Sequence, residues 1–496
     1  MKDMIYAPAY FWDGISDIAQ KQMAVVVSKE KIQLVGTILE VQKQYPDIQI
    51  GYYDNWLMIP SFTDAHDHGR AVSPVGYSVS DRCLEMWLQD LGKIPAVPHY
   101  LATYYDGLNL AASGVTTVLH SHNPNKWSNL QEELVDAARG YNEAGIRCII
   151  CPPYIDQNKG VYDKRQEFIA SLPKTIGEKF SSGIHDQIFT LDEYFKMIAQ
   201  LRKTLQLQIE KEMVEIQLHP NGGQWCSDTA LLAMKEYAIT NDMRIHMHLL
   251  ETKYQYIYAQ RKWGCSFIQH YKEIGFLGPW VSFAHTVWLT KEDMKILAES
   301  GAMIVTNPSS NLRLKSGTVP LKSIIEAGVI VGLGLDGCSF DDDQDYLREI
   351  RVAWFNMEVT GVDGGIDKMI PLKMATVNGA KISGEKLSSG VIKKGVKADF
   401  VCINISQLRK PYADIEADIL ELLVQRGTKK SVENVFVNGE VVYSLQEESC
   451  RIKMSNAEQK LTDAIVQLRQ TSHGLPDKQE LIMAVHDFYK SWEEEI

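Results

Sequence analysis

The sequence predicts a parallel α/β barrel with a small β domain assembled from both chain ends. Three observations predict it. The long middle of the chain alternates short apolar runs with helix-like stretches. Both ends carry short β-branched runs divided by polar turns. Four apolar runs end in histidine or aspartate, and a parallel barrel builds its active site at the C-terminal ends of its strands.

The elements follow in chain order. Met23–Ser28 and Lys31–Gly36 read as strands. Eight barrel strands are expected at 57–64, 115–120, 146–151, 214–219, 244–248, 281–285, 303–307 and 329–334. Helical stretches such as Lys291–Glu299 lie between them. Strand-like runs return at 398–404, 432–439 and 440–443. Residues 1–56 and 386–450 are therefore assigned to the composite β domain, and 57–385 to the barrel. Residues 451–496 form a C-terminal helical extension, with apolar residues at helical spacing from Ala457 to Arg469. This extension reads equally as a helix packed on the surface or as a dimer contact, and a homodimer is expected.

Bulk properties narrow the function. A chain of 496 residues with 45% hydrophobic and 23% charged residues has the composition of an ordinary globular protein. A net charge of −12 argues against a general nucleic-acid binder. The eight cysteines are scattered, and Cys148-Ile-Ile-Cys151 lies in a strand-like run, so it reads as core. A reducing compartment, the cytoplasm, is expected. The N-terminus shows no signal-peptide pattern, and no apolar run approaches the roughly 20 residues of a membrane span.

The chemistry lies in four segments: Thr63-Asp-Ala-His-Asp-His68, Ile245-His-Met-His-Leu-Leu-Glu251, Ser282-Phe-Ala-His285 and Gly334-Leu-Asp-Gly337. Strand alternation points His66 and His68 to the same side, where both can ligate one ion. His248 is a third ligand by the same logic. His246 divides evenly between supporting a ligand and plain packing. Glu251, three residues past His248, is placed to shuttle protons. Asp336 can bind a metal and accept a proton; its structural alternative is a helix cap. Gly332, Gly334 and Gly337 around it suit close backbone approach. A small-molecule substrate is expected, with Zn²⁺ as the first candidate for a divalent ion and Fe²⁺ or Mn²⁺ also admitted.

These motifs resemble the amidohydrolase superfamily, in its cytosine deaminase and chlorohydrolase-like branch. The resemblance rests on Pro60–His68, Gly114-Val-Thr-Thr-Val118, Gln224–Asp228, Asn307–Gly317, Ala375–Ala380 and Gly390–Val401. It implies a distorted TIM (β/α)8 barrel with a composite β-sandwich. It also implies one divalent metal held by His66, His68, His248 and Asp336, with His285 as a polarising neighbour. Binuclear relatives use a lysine on the fourth strand; here that strand ends Glu215-Ile-Gln-Leu-His-Pro220, so a mononuclear centre is expected. His219, where relatives often carry glycine, and His122 are possible substrate contacts. Arg70, Trp87, Gln224 and Arg313 are pocket candidates by loop position, and an arginine there suits an acidic substrate group. The loop from Cys338 to Asp345 departs from the family pattern.

The expected reaction is attack of activated water on a C–N bond, first of all hydrolytic deamination of an N-heterocycle. Asp336 would accept a proton, His285 would stabilise developing charge, and Glu251 would protonate the ring or the leaving group. Ring opening or dechlorination of a cyclic amide, amidine or triazine-like compound is the near alternative. A non-catalytic barrel scaffold is the distant one.

Overall fold

A computed structural model of the protein describes residues 3–182, 188–337, 343–357, 362, 367–471 and 478–495. Eight parallel strands form the barrel: Phe62–Asp67, Val115–Ser121, Arg147–Cys151, Val214–Ile216, Ile245–Leu249, Val281–His285, Met303–Thr306 and Val331–Leu333. They pair in chain order as two four-stranded parallel halves. Backbone hydrogen bonds stitch both seams. Leu218 N–H donates to Arg244 C=O and His246 N–H to Leu218 C=O, each at 2.9 Å. At the other seam Asp336 N–H donates to His66 C=O at 2.9 Å.

Gly334 makes this second closure possible. A Cβ there would meet the His66 carbonyl oxygen at 2.7 Å, so only glycine lets the eighth strand approach the first. The Tyr346 hydroxyl lies 2.7 Å from Thr63 C=O and 2.8 Å from Leu333 C=O, bridging the same seam from outside. Local signals set the surrounding helices. Lys291–Ser300 starts in a capping box between Thr290 and Asp293 and stops at Gly301, whose φ of 74° is left-handed.

The first strand boundary differs from expectation. Leu57–Pro60 belongs to the β domain, as the end of strand Ile50–Pro60, and the barrel begins at Phe62. The apolar run continues through both strands, so hydrophobicity alone does not reveal the break. Pro60 is the last ladder residue, opposite Phe400.

The β domain is one seven-stranded sheet. Its order is Glu440–Ser444, Val432–Val437, Phe400–Asn404, Ile50–Pro60, Met4–Phe11, Met23–Ser28 and Lys31–Thr37. The sandwich character comes from its curl. Tyr6 and Phe436 lie three strands apart, about 14 Å in a flat sheet, yet their rings stand 5.5 Å apart. Ile32 N–H donates to Val396 C=O at 2.9 Å, so the far edge meets the segment leading back to Phe400.

The C-terminal extension packs on the same chain. Helix Glu448–Thr471 buries Ala457 and Leu461 against Ala71, Ala102 and Leu108. Helix Gln479–Lys490 buries Val485 and Tyr489, and Trp492 beyond it joins the main core. Cys148 and Cys151 are buried on the third barrel strand as free thiols. Among the described residues no helix is long and apolar enough to cross a membrane.

Candidate active site

The strand ends bring His66, His68, His248 and Asp336 together, each nearly or fully buried. His66 Nε2 and His68 Nε2 lie 3.2 and 3.0 Å from Asp336 Oδ1. His248 Nε2 lies 3.4 Å from His68 Nε2. Donors about 2.0–2.2 Å from a tetrahedral ion stand roughly 3.3–3.5 Å apart, so the set has the spacing of a metal centre. His66 Nε2 is buried without a hydrogen-bond partner. A cation answers that orphaned atom, and the residues present fit one.

The remaining ring nitrogens fix the tautomers. His68 Nδ1–H donates to Ser121 C=O and His248 Nδ1–H to Asn221 C=O, both at 2.6 Å. His66 Nδ1 faces His246 Nε2 at 2.8 Å, and His246 Nδ1 faces Ser282 Oγ at 2.8 Å. The Ser282 hydroxyl itself donates to Ile245 C=O. The proton order along this chain makes His66 Nδ1 the donor, so all three ligands turn an Nε2 lone pair inward. Burial pushes the His66 and His68 imidazoles down to about 3 and 4, and His248 well below its usual range, so all are neutral and ready to ligate. Burial alone would raise Asp336, but the neighbouring His285 outweighs it and holds the carboxylate ionised.

Two groups stand over this cluster. Burial raises Glu251 to about 7. His285 Nε2 lies 3.8 Å from Glu251 Oε2 and 4.0 Å from Asp336 Oδ2. The His285 Nδ1–H donates to Asn311 Oδ1 at 2.9 Å. Ser310 Oγ–H donates to the second Asp336 oxygen. The backbone is strained here: Leu250, His285 and Asp336 have φ of 50°, 72° and 60°. Such conformations in non-glycine residues cost on the order of 1–3 kcal/mol each and cluster at functional sites.

The cluster opens into a cleft of about 90 Å³ lined by His68, Arg70, Trp87, Glu251, His285, Arg313 and Asp336, among others. His68, Arg70, Asn123 and Asn221 also line a larger adjoining cavity of about 540 Å³.

The family model "Amidohydrolase family" matches residues 57–442. The chain belongs to the amidohydrolase family. It is a hydrolase acting on carbon–nitrogen bonds; its family uses a divalent metal, and the buried group His66, His68, His248 and Asp336 could hold one. Among its relatives is the 5-methylthioadenosine/S-adenosylhomocysteine deaminase of Thermodesulfovibrio yellowstonii, 29% identical over 84% of this chain and 88% of that protein. The enzyme of the same description from Pyrococcus furiosus is 30% identical over 82% of this chain and 88% of its own length. Among solved structures, a zinc-bound adenosine deaminase from Xanthomonas campestris superposes with a TM-score of 0.75 at 20% identity, covering 94% of this chain and 99% of that one.

The other residues that the sequence of this amidohydrolase points to separate into two groups. Arg70 and Trp87 line the cleft and stack, with the guanidinium 5.3 Å from the ring centroid, and Arg70 donates to the Asp336 carbonyl at 2.8 Å. Arg313 lines it too, held by Asp81 and Ser73. His219 and Gln224 line neither cavity. His219 spends its nitrogens on Ser121 Oγ and His246 C=O, so it packs beneath the ligands instead of meeting substrate. Gln224 is fully buried behind the wall. His122 lines the larger cavity, turned toward Glu133. In the 338–345 loop, residues 338–342 lie outside the described residues. Asp343 pairs with Arg348, Gln344 with Asp106, and Asp345 caps helix Tyr346–Phe355, so these three serve structure.

Ser310, Asn311, Asn123 and Asn221 belong to the site without being singled out by the sequence. Ser310 and Asn311 lie inside the Asn307–Gly317 motif, in the short helix Pro308–Arg313 that follows the seventh strand, and that position is the signal that could have found them.

Proposed function

We propose that this amidohydrolase removes the exocyclic amino group of an N-heterocycle of the adenine-nucleoside kind, using one Zn²⁺ held by His66, His68, His248 and Asp336. One observation carries the reading: a protonatable Glu251 and an oriented His285 converge over a metal-ready donor set. The two relatives named as 5-methylthioadenosine/S-adenosylhomocysteine deaminases support the substrate class. The cavity beyond His68 supports it too, because a ring in the narrow cleft leaves about 540 Å³ for a bulky substituent.

A bound divalent ion would lower the pKa of water and polarise the carbon under attack. The chain's own residues do the rest. Asp336 Oδ2, steadied by Ser310, accepts the proton of the attacking water. Glu251, still protonated near neutrality, gives its proton to a ring nitrogen; Asp336 then passes the proton it took from water to the departing ammonia, and the proton of the added hydroxyl returns to Glu251. With a proton on Nε2, His285 donates to the attacking oxygen as charge develops. Arg70 and Trp87 close the wall.

The test is direct. Zn²⁺-loaded protein is assayed on adenosine, 5'-methylthioadenosine, S-adenosylhomocysteine, guanine and a chlorinated triazine, following ammonia and chloride release in parallel. Ammonia from the adenine nucleosides is expected. Chloride release alone, or no ammonia from any substrate, would overturn the reading. A cytoplasmic location is proposed with it, supported by seven unpaired cysteines among the described residues, and a homodimer is proposed as well, which light scattering tests.

A further inference from the structure

Three side chains outside the catalytic cluster form a second group with metal-ligand character. His99 opens helix His99–Ala112, His122 follows the second barrel strand, and Glu133 lies on helix Leu130–Ala144. Glu133 Oε2 stands 3.2 Å from His99 Nε2 and 3.4 Å from His122 Nε2. The three donor atoms lie within 4.8 Å of one another.

We propose that His99, His122 and Glu133 form a second divalent-metal site, separate from the catalytic centre, with an open position facing the larger cavity. The two carboxylate–imidazole separations match the roughly 3.3–3.5 Å expected between ligands of one tetrahedral ion. His99 Nε2 is buried and has no hydrogen-bond partner despite its closeness to Glu133, so the contact lacks the alignment of an N–H···O bond.

The surroundings pre-orient the other two ligands. His122 Nδ1 faces His120 Nε2 at 3.0 Å, and His120 Nδ1 faces the Tyr141 hydroxyl at 3.2 Å. That hydroxyl donates to Asp106 Oδ2 at 3.2 Å. With Asp106 ionised and accepting the Tyr141 proton in that hydrogen bond, the protons run from His122 through His120 to Tyr141. His122 Nε2 is then left as a lone pair aimed at a carboxylate. Two acceptors facing each other in a buried site repel unless a cation lies between them. Glu133 cannot turn away, because Asn125 N–H and Lys126 N–H, each at 2.9 Å, hold its two oxygens. Burial lowers both imidazoles, the neutral form that ligates.

Three protein ligands leave room for a fourth donor, as in open zinc sites. His99 and His122 both line the larger cavity, so this donor would be an oxygen or nitrogen of whatever occupies it, or water.

Metal counting on the whole chain decides between one site and two. The protein is loaded with Zn²⁺ alone, desalted, and its zinc measured against protein. Two ions per chain are expected in the unaltered protein, and one in each of Glu133→Gln, His99→Ala and Asp336→Asn. Glu133→Gln keeps the shape and one of the two backbone contacts, and the ion remaining in the catalytic centre reports that it has folded. One ion in the unaltered protein, lost in Asp336→Asn but kept in Glu133→Gln, would overturn the second site and leave the catalytic centre standing. Two ions that both survive Glu133→Gln and His99→Ala would also overturn it.

Discussion

The backbone N–H of Tyr162 donates to the hydroxyl of Tyr489 at 3.1 Å, joining the helix Gln479–Lys490 to the segment after the third barrel strand. Tyr162 in turn donates its hydroxyl to Glu85 at 2.9 Å. Glu85 also accepts from Thr252, the residue after Glu251. The C-terminal extension thus supports the turn that carries Glu251, the proposed proton shuttle. Trp492→Ala empties a fully buried aromatic site and is expected to cost about 3–5 kcal/mol, read by denaturant melts. An unchanged melt would show that the extension is dispensable.

Glu251→Gln is expected to lower kcat by about 10²–10⁴-fold with metal content unchanged. The pH profile carries the same assignment. Burial raises the Glu251 carboxyl to about 7, so it keeps its proton at pH values where an exposed glutamate has lost it. A donor with that pKa loses activity as pH rises through about 7. The kcat/KM profile should show this limb, and residual activity of the glutamine variant should lack it.

His246 Nε2 faces His66 Nδ1 at 2.8 Å, the position of a support to a proposed ligand. Replacing it with alanine frees His66 Nδ1 and is expected to weaken metal affinity about 10–100-fold, measured by competition with a chelator. An unaltered affinity would return His246 to plain packing.

Ser310→Ala removes the hydrogen bond to Asp336. A hydrogen bond to a charged group is worth about 1.5–3 kcal/mol, so kcat should fall roughly 10–100-fold while zinc stays bound. Loss of the metal instead would make Ser310 a support of the ligand, not of the proton acceptor.

Glu349, which accepts from Ser309 N–H beside Ser310, gives a test read by stability. Burial raises its carboxyl from 4.5 to about 7. The folded state therefore holds a proton that the unfolded state releases, and stability falls as pH rises from about 4.5 to about 7. Glu349→Gln removes that dependence. Its stability relative to the parent should rise across this window by an amount on the order of 3 kcal/mol.

The grouping of His66 and His68 is legible in the sequence because strand periodicity is short-range: the two face one way whatever surrounds them. The barrel strands are legible as apolar runs ending in polar residues, and Val281–His285 matches residue for residue. The break after Leu57–Pro60 is hidden because a run buried on both sides looks alike in either domain. The inward turn of His219 and Gln224 is hidden because loop position does not say which way a side chain points. Glu133 carries no local signal at all; its meeting with His99 and His122 depends on how a helix start, a strand end and the next helix converge.

The sheet built from both chain ends has a consequence for biosynthesis. The ladder between Ile50–Pro60 and Phe400–Asn404 joins segments made at opposite ends of translation. Until the ribosome has released Phe400, the early strand has an unpaired edge, open to pairing with another nascent copy. Recombinant yield should therefore depend on elongation speed and chaperone supply more than the compact native fold would suggest, and chains ending before Asn404 should be recovered as aggregates.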